Sequence, residues 1–247
     1  MSKTGYKYRK WDDEFTKRII THQELYFSNP KDFNDIFDCR ICGTIGGVNP
    51  EDYSWEDKKE GKIRRLLTDS LSFFNKQTVN FVDKFGVCCF SKRCDSILMW
   101  SHYADYHRGI CFRFDLDKII FDGGFAKVRY VKTKPQYDYC NSNEDMLKWF
   151  VYKHRDWRYE KEIRGILIPP ENCHDNSYRK VYFPKEALKE IIFGAKYQDT
   201  YGSFGQVIEL CQEYGYNVEY SIMQETTISD AYKLQRVPLS IDWNKNN

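Results

Sequence analysis

FGVCCFSKRCDSILMWSHYADYHRGICFRFD, residues 85–115, sets the fold class. Its two ends read as strands. Residues 85–91 form a short apolar run of the kind found in buried strands, and 109–115 alternate apolar and polar residues after Ile110. Between them, 96–104 form a short helix carrying Met99, Trp100 and Tyr103. Working outward, strands are predicted over 5–9, 24–28, 126–131, 157–168, 179–183, 188–193, 216–222 and 229–235. Helices are predicted over 12–22, 60–80, 142–154 and 200–214. Asp12 or Asp13 is placed to cap the first helix, and Ser142 with Asp145 forms a capping box for the third. The 60–80 helix carries an apolar stripe of Ile63, Leu66, Leu67, Leu71 and Phe74. Strands cluster instead of alternating regularly with helices, which argues for an α+β fold with a mainly antiparallel sheet flanked by helices. The chain, 1–247, reads as a single domain in which 29–80 is an insertion or a lid.

Composition narrows the function classes. The chain has 247 residues and a formal net charge of +2, from 38 basic and 36 acidic side chains, so there is no general electrostatic footprint for DNA. A local basic stripe of Lys127, Arg129, Lys132 and Lys134 is either a solvated strand face or a binding strip. No window approaches the roughly 20 apolar residues of a membrane span. The N-terminus, MSKTGYKYRK, lacks an apolar signal region, so a soluble cytoplasmic protein with no membrane contact is expected. The nine cysteines include the pair Cys39/Cys42, but no second pair stands at zinc-site spacing, and neither a metal nor a disulfide is expected. Aromatic residues make up 17% of the chain, enough for both a mixed core and a pocket that stacks planar ligands. The phosphate-loop, dinucleotide-fold and nucleophile-elbow motifs are absent.

Four constellations can carry chemistry. In Tyr6-Lys7-Tyr8-Arg9, Arg9 ends a strand and either grips a phosphate or carboxylate or is salt-bridged at the sheet edge. Tyr26 and Ser28 precede Asn34 and Asp35 in a segment that reads as local turns or as a ligand-binding loop. In the run 99–109, Trp100, His102, Tyr103 and His107 crowd together, and the histidines serve either structural hydrogen bonds or acid–base chemistry. In 153–164, strand alternation places Glu160, Glu162 and Arg164 on one face. That is either an exposed charge ladder or a carboxylate that stabilises a developing cation or takes a proton, with one of the paired pKa values raised unless Arg164 or Lys153 offsets the charge.

These segments, YKYR (6–9), LYFSNPKDFNDIFDC (25–39), MWSHYADYHRGICFRF (99–114) and KHRDWRYEKEIR (153–164), together resemble the bacterial domain-of-unknown-function family 2971. Ile36 departs from the proline usual at that position. The order of parts is more distantly similar to ADP-ribosyltransferases, which implies a sheet that is open to splitting and NAD as a substrate. On that resemblance Arg9 holds the pyrophosphate, with Tyr8, Tyr26, Ser28, Asn34, Asp35, Trp100, Tyr103, His107, Trp157 and Arg164 around the nucleotide. Glu162 is the decisive carboxylate, and Glu160 and His102 assist. The acceptor is nucleic acid, protein or water, and such activities serve toxin or phage-defence roles. Two alternatives stand beside this reading: a nuclease using His102 and His107 with an acidic residue, and a non-catalytic module that binds a nucleotide or a partner.

Overall fold

The strand and helix signals resolve into specific elements in the computed structural model, which describes residues 3–40, 42–44, 58–140, 148–171, 175–226 and 232–239. In chain order the first are β1 (Thr4–Arg9), α1 (Glu14–Thr21), β2 (Glu24–Tyr26), β3 (Cys42–Thr44), α2 (Lys58–Val82), β4 (Gly86–Ser91), α3 (Ile97–Tyr103) and β5 (Ile110–Asp115). There follow β6 (Gly123–Lys127), β7 (Arg129–Val131), β8 (Gln136–Asp138), α4 (Lys148–Val151), β9 (Tyr152–His154) and β10 (Glu162–Leu167). The last are β11 (Lys180–Tyr182), β12 (Leu188–Phe193), α5 (Tyr197–Tyr201), α6 (Gly205–Glu213), β13 (Glu219–Glu225) and β14 (Leu234–Pro238). Eight of these strands make one sheet in the order β14-β13-β12-β5-β1-β4-β10-β6. Every neighbouring pair in it is antiparallel except the parallel β12–β13. The class is therefore α+β, with a large and mostly antiparallel sheet.

The period-two alternation of strand side chains covers both faces. On one face Ile110, Phe112 and Phe114 of β5 join Ile191 and Phe193 of β12, and they pack beneath Ile19 and Ile20 of α1 and Val207 and Cys211 of α6. On the other, Tyr8, Cys111 and Ile192 meet Met99, Trp100 and Ala104 around α3. Val87 and Ile166 lie in a third cluster with Cys39, Val82, Trp149 and Phe150. Gly165 in β10 leaves room for the Phe27 ring: a Cβ there would stand 2.9 Å from it.

The sheet forks in its middle. β1 pairs with β5 through all six of its residues, Thr4 to Arg9, but meets β4 only at Tyr6↔Ser91. The chain leaving β2 enters the gap, where Ser28 and Val87 exchange both backbone hydrogen bonds at 2.9 Å. The three edges of this fork belong to β1, β4 and the end of β2.

Several expectations change. Residues 157–168 are not one strand: Arg155–Glu160 is a 3₁₀ turn, Lys161 is left-handed (φ 47°), and β10 begins at Glu162. The expected 126–131 strand is divided by Val128 into β6 and β7, and the 200–214 helix breaks at Gly202 (φ 72°) into α5 and α6. Of the 142–154 helix, residues 142–147, with the proposed cap, lie outside the described residues, and only α4 precedes β9. In the α2 stripe Leu66 is 60% and Phe74 43% exposed, while Leu67 and Leu71 are half-buried. The front of the 29–80 segment is anchored, since Asp38 and Cys39 are buried.

Candidate functional site

The fork encloses a cleft of about 620 Å³, lined by Tyr6–Arg9 of β1, by Leu25, Tyr26 and Ser28, by Val87 and Cys89–Ser91 of β4, and by His102 and Tyr103 of α3. Its floor is ionic. The Arg164 guanidinium is fully buried and grips Asp38 through two bonds (2.8 and 2.6 Å) and Glu162 through two more (2.8 and 3.1 Å), while its Nη1 also donates to the Phe150 carbonyl at 2.9 Å. Lys153 donates to Glu160 Oε2 at 2.6 Å and lies 3.3 Å from both Glu162 and Asp38. Tyr103 donates its hydroxyl to Glu160 Oε1 at 2.7 Å and accepts from Asn34 Nδ2 at 3.3 Å.

Local backbone geometry sets this arrangement. Glu160 ends a 3₁₀ turn, and the left-handed Lys161 redirects the chain so that Glu160 and Glu162 both line the cleft. Ser91 Oγ fixes the turn by donating to the Glu160 carbonyl at 2.6 Å. Strand parity then keeps Glu162 and Arg164 together.

The charges do not balance. Three carboxylates, Asp38, Glu160 and Glu162, face two cations, Lys153 and Arg164. Burial disfavours ionisation of Glu162, but Arg164 and Lys153 overcome it and hold the carboxyl at about 2. Glu160 goes the other way. Burial raises its pKa and the Glu162 charge adds to the rise, against the pull of Lys153 and the Tyr103 hydroxyl. The short Lys153 contact taken alone would lower it; burial prevails because Lys153 is shared among three acids. Burial would discharge Lys153, but Glu162, Asp38 and Glu160 keep it protonated. Burial, then the Glu160 charge, raises the Tyr103 phenol.

Of the residues expected at the site, Arg9, Tyr26, Ser28, Asn34, His102, Tyr103, Glu160 and Glu162 all line the cleft. Arg9 is held at its rim by Asp13, the cap of α1 (Nη2–Oδ2 2.6 Å), and by Thr16 (3.1 Å). Arg9 therefore makes the salt bridge of the first reading, and its Nη1 makes no hydrogen bond among the described residues. Tyr26 stands in ring contact with Phe15.

Others are placed elsewhere. Tyr8 touches the cleft, but its hydroxyl is spent on the Arg93 carbonyl (2.8 Å) and its ring packs edge-on against Trp100. Trp100 is fully buried and donates to the Cys94 carbonyl. Neither is free to stack on a ligand. His107 lies in a left-handed turn with its ring on Ser101 (3.2 Å) and is not among the cleft residues. Arg164 is sealed behind Glu162. Asp35 and Trp157 line a separate cavity. Asp38 is a site residue that the sequence reading did not single out, and Lys153 is the counter-charge expected beside Arg164 for the carboxylate pair. Their signal was a buried Arg164 and a carboxylate pair that needed counter-charges.

An α+β protein with a buried, net-acidic network at the fork of its sheet is the class these features define. Residues 99–165 match the family model described as protein of unknown function (DUF2971). That range runs from α3 into β10 and contains both Tyr103 and the Lys153–Glu160–Glu162–Arg164 group, so two of the four recognised segments meet physically at the cleft floor. No curated protein and no solved structure matches the chain. Among the described residues no helix is long and apolar enough to cross a membrane.

Proposed function

We propose that the cleft cleaves the nicotinamide–ribose bond of NAD and transfers ADP-ribose, in the manner of ADP-ribosyltransferases. The observation that carries this reading is the surplus of one carboxylate over the cations on the cleft floor. Breaking a glycosidic bond builds positive charge on the ribose C1′, and a buried floor with excess negative charge favours that charge over the neutral ground state. The forked sheet, with Arg9 ending the first strand at the rim, supports the same assignment. A cleft of about 620 Å³ is within the ordinary range for a ligand of this class.

The roles follow from position. Arg9 directs its remaining guanidinium nitrogen to the pyrophosphate. Tyr26 and His102 flank the planar ring. The bond between C1′ and the pyridinium nitrogen breaks, and its electron pair neutralises that nitrogen. An acceptor oxygen then bonds to C1′, and its proton passes to Glu160, whose raised pKa makes it the better base. Glu162 contributes field, not proton transfer, because the neighbouring Arg164 and Lys153 lower its pKa and make it the weaker base. The nuclease alternative is less well supported, because His107 is not among the residues lining the cleft that His102 lines.

The test is nicotinamide release from NAD, followed by chromatography with nucleic acid, protein or water as acceptor. Glu160→Gln is expected to abolish release while NAD still binds, and Arg9→Ala to weaken binding. Neither NAD binding nor nicotinamide release by the unaltered protein under any of these conditions would overturn the proposal.

A further inference from the structure

A second cavity of about 560 Å³ lies behind the cleft, on the far side of Lys153. The Lys153 side chain forms part of the wall between them: its ammonium bonds Glu160 at 2.6 Å and stands 4.8 Å from the centre of the Trp157 ring, which lines the second cavity. Phe37 presents another ring there and is 57% exposed, far more than a ring kept for packing. Lys134 sits 4.7 Å above that ring, and the exposed Lys132 lies two residues away. Asp35 also lines the cavity. Its Oδ1 closes a turn by accepting from the Phe37 amide (2.9 Å), whereas its Oδ2 is buried with no hydrogen-bond partner among the described residues. A buried carboxylate oxygen without a donor is costly, so something outside the described chain is expected to supply one.

Flat rings, flexible cations and one unmet acceptor are the three groups a nucleotide needs. We propose that this cavity binds a nucleoside monophosphate unit. The base lies against Trp157 and Phe37, a base N–H or ribose hydroxyl donates to Asp35, and the phosphate meets Lys132 and Lys134. Base–aromatic stacking and phosphate neutralisation are the two main terms of single-strand binding. The unit is either a free mononucleotide or one residue of a single strand. The inference concerns binding alone and stands apart from the chemistry assigned to the cleft.

Quenching of tryptophan fluorescence, checked by calorimetry, tests it with AMP, GMP, CMP and UMP and with single-stranded RNA and DNA decamers at low and moderate salt. Lys132→Glu with Lys134→Glu is expected to weaken binding at least tenfold at low salt. Both lysines are exposed, so the fold is retained. Trp157→Ala is expected to weaken binding, by calorimetry, about tenfold. Asp35→Asn, which keeps the turn but replaces the free acceptor with a donor, also weakens it. Binding of mononucleotides identifies a free nucleotide as the source, and binding of decamers alone identifies a strand. Either supports the site. No binding of any of these probes overturns it, as does binding that survives the paired lysine reversal.

Discussion

Glu160 and Glu162 are two residues apart in sequence and share one lysine, yet physics assigns them opposite economies. Glu162 ionises more readily folded than unfolded, so its contribution to stability is present above the unfolded value of about 4.3 and is lost as pH falls from there toward 2. Glu160 ionises less readily folded. Its contribution is present at low pH and is lost as pH rises from about 4.3 through its raised folded value. At neutral pH an ionised Glu160 therefore costs stability. Glu160→Gln leaves two carboxylates facing two cations, and thermal denaturation at pH 7 is expected to show no loss, or a gain of up to about 2 kcal/mol, while activity disappears. Glu162→Gln instead strips Arg164 of two charged bonds in a dry site, and a loss of about 3–5 kcal/mol is expected in the same measurement. In the proposed reaction, a base with a raised pKa also shapes the rate. Nicotinamide release is expected to decline as pH falls through the Glu160 value, which lies above about 4.3, and a pH–rate profile checks this.

At the level of elements, the backbone between the two glutamates matters as much as the side chains. Lys161 adopts φ 47° with its side chain exposed, so it contributes conformation and not packing. A second left-handed stretch, Asp105–His107 (φ 47°, 54° and 71°), lets the chain reverse from α3 into β5. It ends at Gly109, where a Cβ would stand 2.2 Å from the Arg9 carbonyl. Such positions are unfavourable for residues with a Cβ and persist because surrounding bonds fix them. Lys161→Gly is accordingly expected to change stability by less than about 1 kcal/mol and to preserve NAD binding. Lys161→Val, β-branched where a left-handed turn is required, is expected to cost about 1–2 kcal/mol and to pull Glu160 away from Tyr103. Melting curves and NAD titration of the two variants, compared side by side, separate backbone geometry from side-chain loss.

Across the whole molecule, the sequence made the strands legible because their periodicity is local, and the mixed sheet and most of its members follow from it. The cleft was legible as a set of polar and aromatic clusters, and nine of the expected residues do line one hollow. What pattern alone did not reveal is non-local. Trp100 reads as a stacking platform until α3 is seen pressed onto Tyr8. Trp157 reads as a cleft residue until the 3₁₀ turn carries it into the second cavity, where Asp35, from the segment after β2, also lies. Asp38 lies 126 residues from Arg164, and no spacing rule connects them. That long bond has a global consequence. Arg164 joins the segment after β2 to the start of β10 and to the end of α4 through the Phe150 carbonyl, so one guanidinium fastens three stretches at the fork. A lysine there keeps the charge but has no planar fork to hold two carboxylates and a carbonyl at once. Arg164→Lys is therefore expected to lose about 3–5 kcal/mol in urea unfolding. Partial loss of the fastening is expected to expose the 31–40 segment to protease before the core of β5, β1 and β12 yields, because local opening follows the weakest attachment. Cleavage sites mapped by mass spectrometry check the order, and simultaneous cutting throughout the chain would mean that the fork and the core unfold as one unit.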